Sequence, residues 1–291
     1  MKRRRSLLLQ TNLVILSLLA GATFAGAKTP AAGGQAVIPL SPYLGAQATL
    51  RATVRGVPGV FLFDTGEGVT SISPEFAAKI GCAPWGRVSG FRMSGERLDT
   101  PRCDDVDFSV AGRTLHAPSV MTLDIMKLMG EGVPKIDGAM GLDVFAGETI
   151  TLLPRTAIVV ETPRTLARRI AHATPLKVRL VRDAEGLALA VDGAVKTPQG
   201  QAFMELDSGN GGALVVADHI APLLGIPTDM TTPTVQHLQL ENGIAVEGKT
   251  RTRDLIMDGN IGAQFLDHWA LTLDLRNGRA WLAPFTDTAP G

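Results

Sequence analysis

Two short acidic motifs each follow an apolar stretch of the chain. The sequence LFDTG places an aspartate at position 64, and ELDSG places another at position 207. One such tripeptide is ordinary turn chemistry, because Asp and Ser bond nearby backbone and Gly adopts positive φ. Two carboxylates held close together would instead share a proton, since like charges cannot both ionise easily. One would then activate a water as general base while the other protonates a carbonyl oxygen as general acid.

The neighbours of each acid suit a rigid pair. Thr65 and Ser208 supply hydroxyl groups that can bond backbone and hold two loops in register. Gly66 and Gly209 allow a tight turn and a close approach of the two backbones. A strand that ends at each acid would fix its geometry. These four residues are therefore predicted to support a catalytic pair.

The motifs belong to an internal repeat. A helix signal follows the first acid, with Ser73 and Pro74 at its start and Gly81 at its end. A second signal runs from Asp218 as cap to Gly225. Later, IDGAMGLDVFAGETITLL and MDGNIGAQFLDHWALTLDL align without a gap at an offset of 121 positions. The repeat predicts two equivalent halves, and an approximate two-fold axis between them would bring their acids together.

The composition indicates a folded chain rich in turns and short strands. Of 291 residues, 45% are hydrophobic and 19% charged, with 32 glycines and 18 prolines. The first 27 residues resemble an export signal, with a basic start, an apolar stretch and small residues at the end. An uncleaved membrane anchor is the alternative. Cleavage would leave 24 basic and 28 acidic residues, a net charge of −4, which offers no general field for nucleic acid.

The only two cysteines are Cys82 and Cys103. An oxidising compartment would permit a disulfide between them, and two separate buried thiols are the alternative. Neither has a partner at zinc-binding spacing, so no metal site and no cofactor are predicted.

Taken together, the motifs resemble those of aspartic peptidases of the retropepsin/pepsin-like group, in a tandem two-lobed bacterial-type form. LFDTG and ELDSG resemble the active-site motif, and AMGLDVF and NIGAQFL resemble the later apolar-Gly element. The resemblance implies an all-β, bilobal acid-protease fold: two homologous β-barrel-like lobes with short helices and an active-site cleft between them. It implies that Asp64 and Asp207 are catalytic, and that one chain suffices as a monomer.

The repeat and the resemblance together predict the domain organisation. A signal peptide at 1–27 precedes a flexible segment at 28–38. The N-terminal lobe spans 39–162, a linker spans 163–175, and the C-terminal lobe spans 176–288.

The resemblance also implies a flap over the cleft. The candidate is VSGFRMSGERLD in the first half, whose glycines would permit a mobile hairpin. A plain surface hairpin is the alternative. The possible flap and substrate-binding residues are Gly90, Phe91, Arg92, Met93, Ser94 and Gly95.

Three residues depart from the family pattern. Glu67 and Asn210 follow the two motif glycines, where Ala or Ser is usual. An inward Glu67 would raise the pKa of the paired acids, whereas an outward Glu67 would be a solvated surface acid. The sequence favours the outward orientation. Glu205 stands where the other half has Leu62, which predicts a more exposed strand.

The leading functional hypothesis is an exported aspartic endopeptidase, periplasmic or secreted, that acts on peptide or protein substrates. The expected partners include no nucleic acid and, after signal cleavage, no membrane. The alternative is a catalytically inactive peptide-binding protein that retains the aspartic-protease cleft.

Overall fold

The computed structural model describes residues 35–212, 214–230 and 232–285. The signal peptide predicted at 1–27 lies outside the described residues. The prediction of a flexible segment at 28–38 is wrong for the last residues of that range. Ala36–Pro39 forms a strand that pairs with Ala157–Val160, and Ile38 is fully buried. Burial of that side chain and the strand pairing fix this part of the backbone.

The described chain is mostly strand with a few short helices. The strands are β1 (Ala36–Pro39), β2 (Ser41–Pro42), β3 (Ala48–Val54), β4 (Val57–Phe63), β5 (Ser71–Ile72), β6 (Trp85–Phe91), β7 (Arg97–Val110), β8 (Arg113–Thr122), β9 (Gly138–Met140), β10 (Thr149–Leu153), β11 (Ala157–Val160), β12 (Thr174–Leu176), β13 (Val178–Val181), β14 (Ala190–Thr197), β15 (Gly200–Asp207), β16 (Leu214–Ala217), β17 (Thr234–Gln239), β18 (Ala245–Arg253), β19 (Gly259–Gly262), β20 (Trp269–Asp274) and β21 (Arg279–Pro284). The α-helices are α1 (Pro74–Lys79), α2 (Met126–Met129), α3 (Pro163–Ile170) and α4 (Ala263–Leu266). Single 3-10 turns occur at Asp143–Phe145, Ala184–Gly186 and Ala221–Leu224.

An eight-stranded sheet organises the first half, in the order β2-β3-β4-β9-β5-β8-β7-β6. Successive residues of a strand point to opposite faces. In β4, Phe61 and Phe63 enter the main core, while Leu62 packs in a separate cluster with Ala139. The residue after the strand is Asp64, which continues the Leu62 face. One face of β4 therefore stabilises the lobe and the other presents the acid.

A seven-stranded sheet repeats this arrangement in the second half, in the order β13-β14-β15-β19-β16-β18-β17. Strand β4 is parallel to β9, and β15 is likewise parallel to β19. Strand β5 is antiparallel to β9, and β16 is antiparallel to β19. The repeat read from the sequence is thus a repeat of strand topology.

A third sheet joins the halves, in the order β1-β11-β10-β20-β21-β12. Its central pair, β10 and β20, comes from equivalent positions of the two halves and is antiparallel. Thr151 faces Thr272 across this pair, 121 positions away, with 3.0 Å between their hydroxyl oxygens. An approximate two-fold axis passes between these threonines. The predicted linker holds α3 and the start of β12.

The helix predicted after the first acid is present as α1. Ser73 caps it by accepting a hydrogen bond from the backbone N–H of Phe76, and Gly81 follows at φ 68°. The helix predicted from Asp218 is wrong. Only the 3-10 turn forms there, and the Asp218 carboxylate instead accepts a bond from the N–H of Asp229. Among the described residues, no helix has the length and apolar character needed to cross a membrane.

The cysteines, whose pairing the sequence left open, form a disulfide. Cys82 follows α1 and Cys103 lies on β7, with 6.2 Å between their Cα atoms. Cys103 is 1% exposed and belongs to the main core. The bond therefore fastens the end of α1 to the long hairpin of the first half.

Candidate active site

The two acids stand at the ends of equivalent strands. Asp64 follows β4, and its N–H donates to the carbonyl oxygen of Met140 at 3.0 Å. Asp207 ends β15, where it is paired with Gly262 of the parallel strand β19. A Cβ at Gly262 would lie 2.1 Å from the carbonyl oxygen of Gly212, so only glycine fits there. Each acid is thus held on a rigid strand end and supported by the neighbouring parallel strand.

The carboxyl groups of Asp64 and Asp207 meet between the halves. The N–H of Gly209 donates to Oδ1 of Asp207 at 2.8 Å and to Oδ1 of Asp64 at 3.1 Å. A Cβ at Gly209 would lie 2.0 Å from Oδ2 of Asp64. Glycine at this position is therefore a condition for the contact between the two acids.

Thr65 and Ser208 tie the two acid loops together. The Thr65 hydroxyl donates to the carbonyl oxygen of Leu206 at 2.6 Å and accepts from the N–H of Ser208 at 2.9 Å. The Ser208 hydroxyl accepts from the N–H of Thr65 at 3.0 Å and donates to the carbonyl oxygen of Phe63 at 3.3 Å. Thr65 is 1% exposed. Each hydroxyl thus crosses to the other half and holds its loop in register.

The Asp64 carboxyl lies in an environment that favours its protonated form. Burial raises its pKa well above the usual value, and the charges of Asp207 and Glu67 raise it further. The N–H of Gly66 donates to Oδ1 of Asp64 at 2.8 Å, and this hydrogen bond lowers the pKa. A carboxyl that keeps its proton beside a second carboxyl can act as a general acid while its neighbour acts as a general base.

Glu67 turns inward, so the outward orientation favoured from the sequence is wrong. Its Oε1 accepts a hydrogen bond from the Ser71 hydroxyl at 2.6 Å. Burial raises the pKa of Glu67 to about 8, against the lowering effect of the Ser71 bond. The charges of Asp143 and Asp207 contribute to the increase. Packing of the loop against Asp143, which bonds both the N–H and the hydroxyl of Thr70, fixes this orientation.

The more exposed strand predicted at Glu205 is also wrong. Glu205 is 8% exposed, and its Oε2 accepts a bond from Nδ2 of Asn260 at 3.1 Å. Asn260 is fully buried, and the same nitrogen donates to Oδ2 of Asp207 at 2.6 Å. A polar partner from β19 thus compensates the burial of Glu205. Burial and the neighbouring acids raise the pKa of Glu205 well above its ordinary value.

The flap candidate is the turn between β6 and β7, and it reaches the second half. The carbonyl oxygen of Met93 accepts a hydrogen bond from the N–H of Ile256 at 3.0 Å. A Cβ at Gly95 would lie 2.9 Å from Cγ2 of Ile256. Within the turn, the N–H of Gly95 donates to the carbonyl oxygen of Arg92 at 2.8 Å. The hairpin therefore extends from the first half to the second, whereas a plain surface hairpin would contact only its own half.

The corresponding hairpin of the second half, between β17 and β18, packs differently. The N–H of Glu241 at its tip donates to the carbonyl oxygen of Ala194, and Nδ2 of Asn242 donates to that of Pro175. Both partners belong to the second half or to the segment that leads into it. The two hairpins thus break the symmetry of the repeat.

Sequence reasoning singled out the six motif residues and the hairpin, and the structure brings both parts into contact with the opposite half. It missed Asn260 and Ile256. The alignment of the two halves did contain a signal for Asn260, because this position corresponds to the small apolar Ala139. A polar residue in a predicted buried strand, beside a predicted acid, was the available indication.

The chain is similar to known proteins in part of its sequence and in its fold. Residues 50–144 match the family model described as aspartyl protease. Basic 7S globulin from soybean is 10% identical, with a TM-score of 0.55 over 86% of this chain and 95% of that chain. Conglutin gamma, a basic 7S globulin from lupine seeds, is 11% identical, with a TM-score of 0.52 over 88% of this chain and 95% of that chain. The comparison with curated proteins finds no match.

These findings define the class of the fold. The family match lies in the first half and supports an aspartic-protease-like family. The structural similarity spans both halves and confirms the predicted fold class, an all-β bilobal fold of the pepsin-like kind.

Proposed function

We propose that the chain is an aspartic endopeptidase of the tandem two-lobed type, in which a water activated between Asp64 and Asp207 hydrolyses peptide bonds. The observation that carries the proposal is the shared N–H of Gly209, bonded to one oxygen of each carboxyl at 3.1 and 2.8 Å. Two carboxyls this close hold one proton between them.

The reaction follows from that proton. The ionised carboxylate takes a proton from the water while the water oxygen bonds to the carbonyl carbon of the substrate. The protonated carboxyl gives its proton to the carbonyl oxygen, which forms a tetrahedral diol. The proton taken from the water then passes to the amide nitrogen, one hydroxyl of the diol returns its proton to the other carboxylate, and the carbon–nitrogen bond breaks to leave an acid and an amine. The pair returns to its starting state without a covalent intermediate.

The supporting residues would act before and during this step. Thr65 and Ser208 hold the two loops at a fixed separation, so the carboxyls need no rearrangement when the substrate arrives. The hairpin tip at residues 90–95 would cover an extended peptide and exclude bulk water from the reacting atoms. Strand-like hydrogen bonds to that peptide would supply much of its binding.

The compartment and assembly belong to the same proposal. We place the protein outside the cytoplasm, periplasmic or secreted, because the first 27 residues have the pattern of an export signal. The Cys82–Cys103 disulfide supports an oxidising compartment. Both acids are supplied by one chain, which supports a monomer as the working unit.

A catalytically inactive peptide-binding protein is the second candidate. The observation in its favour is the hydrogen bond that the amide nitrogen of Asn260 donates to Oδ2 of Asp207 at 2.6 Å. A carboxylate bonded in this way has less capacity to take a proton from water. The two carboxyl groups would then only form hydrogen bonds with a bound peptide.

A library of peptides incubated with the exported form between pH 3.5 and 7 separates the two candidates. An endopeptidase cleaves members of the library, and Asp64→Asn or Asp207→Asn lowers turnover by about 10³-fold or more while the fold is retained. A binding protein cleaves none, and both variants keep its affinity for peptides. Absence of cleavage across this range would refute the enzymatic proposal.

A further inference from the structure

The two sides of the acid pair differ in one pair of buried residues. On the first-half side, Leu62 faces Ala139 across the parallel strands β4 and β9. On the second-half side, Glu205 faces Asn260 across β15 and β19. Both pairs lie on the same sheet face as the acid that ends the strand. An apolar pair in one half is therefore replaced by a hydrogen-bonded polar pair in the other.

A chain of hydrogen bonds fixes the orientation of the Asn260 amide. The N–H of Gly212 donates to Oδ1 of Asn210 at 2.9 Å, so Nδ2 of Asn210 points onward. That nitrogen donates to Oδ1 of Asn260 at 2.7 Å. Nδ2 of Asn260 must then face the acids, where it donates to Asp207 at 2.6 Å and Glu205 at 3.1 Å. Every hydrogen bond in this series is donated in the direction of the acids.

The donors are shared unequally between the two acids. Asp207 accepts three hydrogen bonds, from the N–H groups of Gly209 and Asn210 and from the amide of Asn260. Asp64 accepts two from N–H groups, those of Gly66 and Gly209. Hydrogen bonds donated to a carboxylate favour its ionised form. Of the three donors to Asp207, the amide of Asn260 is the side-chain donor, and its equivalent in the first half, Ala139, has no side-chain donor.

We infer that Asn260 is a positioning residue that keeps the negative charge of the pair on Asp207 and leaves the shared proton on Asp64. This inference rests on the proposed peptidase function and assigns the two roles within it. Asp207 is the general base that takes the proton of the water, and Asp64 is the general acid that protonates the carbonyl oxygen. The high proton affinity of the buried Asp64 carboxyl agrees with this assignment.

In the part of the chain that the structure describes, the charged groups that interact with Asp207 are acids. Asp64 and Glu67 approach from the first half, and Glu205 from its own strand. Asp192 of β14 lies beyond Glu205 and is held by Arg179 at 2.8 Å. Each of these acids opposes a charge on Asp207 when it is itself ionised. The amide of Asn260 is thus the side-chain donor that offsets them.

The test uses one single variant and one double variant that restores an apolar pair. Asn260→Ala installs the residue found at the equivalent first-half position. Asn260→Ala together with Glu205→Leu reproduces the whole Leu62–Ala139 pair and so preserves packing if the single variant is unstable. In both, we expect the acid limb of the pH profile of kcat/KM to move to higher pH by roughly one to two units, because one charge-assisted bond is lost. Gln239→Ala, which removes an exposed amide on β17, is the matched control and leaves the limb in place.

A second measurement needs no catalytic activity. In a background of Asp64→Asn, the carboxyl of Asp207 is titrated by ¹³C NMR with and without Asn260→Ala. We expect its midpoint to rise by roughly one to two pH units when the amide is removed. An unchanged or lower midpoint would overturn the role of Asn260, even if the protein cleaves peptides. A raised midpoint in a protein that cleaves none would support the role and refute only the peptidase proposal.

Discussion

Replacing Glu67 by Gln is predicted to change how the stability of the protein depends on pH. Glu67 lies beside the acid pair, and burial raises its pKa from 4.5 to about 8. Gln keeps the shape of the side chain and an oxygen that can accept the Ser71 hydrogen bond. The substitution therefore removes the ionisable group with little loss of packing.

The sign follows from the order of the two pKa values. Between pH 4.5 and about 8, the unfolded chain has an ionised Glu67 while the folded protein still binds the proton. The contribution of Glu67 to stability is therefore fully present below pH 4.5 and is lost as the pH rises through about 8. The whole shift corresponds to roughly 5 kcal/mol. Glu67 retains some contact with solvent, so we expect a difference of about 2–4 kcal/mol.

Urea denaturation at a series of pH values from 5 to 8.5 measures this difference. The free energies of unfolding of the wild type and Glu67→Gln should be similar at pH 5, and the variant should be more stable at pH 8.5. Glu247→Gln is the matched control, because its side chain is 64% exposed and it should follow the wild type throughout. Parallel curves for the wild type and Glu67→Gln across the range would refute the inward, protonated Glu67.

Three further sets of substitutions test the acid loops and the disulfide. Gly209→Ala would place a Cβ 2.0 Å from Oδ2 of Asp64, so we expect loss of turnover and a clearly lower Tm. Gly211→Ala is the control, because its Cβ would lie 4.0 Å from Cγ of Gln47, and turnover and Tm should stay close to those of the wild type. Thr65→Val leaves a carbonyl and an N–H unpaired and should cost about 2–3 kcal/mol in urea denaturation, against about 1 kcal/mol or less for Thr65→Ser. Equal costs would show that the hydroxyl is unimportant. Replacing Cys82 and Cys103 by Ala removes a link between residues 21 positions apart and should cost about 3 kcal/mol, seen as a lower Tm that reductant does not lower further.

The sequence was sufficient for features that depend on short motifs or exact spacing. The two acid tripeptides, the 121-residue offset and the Ser73 cap each rest on local residue types, and the structure contains all three. The Asp218 cap depended on the same local reasoning and was wrong. Its carboxylate has a competing donor in Asp229, which the helix rule does not consider.

The environment of the acids depends on residues that are distant in sequence. The orientation of Glu67 depends on how its loop packs against Asp143, which lies 73 positions after its partner Thr70. Burial of Glu205 is possible because Asn260, 55 positions later, supplies a donor across a parallel strand pair. The contact of Met93 with the second half likewise needs the two lobes to be assembled. Such pairings are set by tertiary packing, and local propensities do not contain them.

In an aspartic endopeptidase of this fold, Asp64 and Asp207 would act on one oxygen that comes from water. The most direct measurement is a crystal structure of the exported form bound to a peptide in which a hydroxyl-bearing carbon replaces the scissile carbonyl, as a mimic of the tetrahedral diol. We expect this hydroxyl to lie about 3 Å from an oxygen of each carboxyl, beneath the hairpin tip at residues 90–95. A peptide bound away from the acids, or carboxyls too far apart to contact the same hydroxyl, would contradict it.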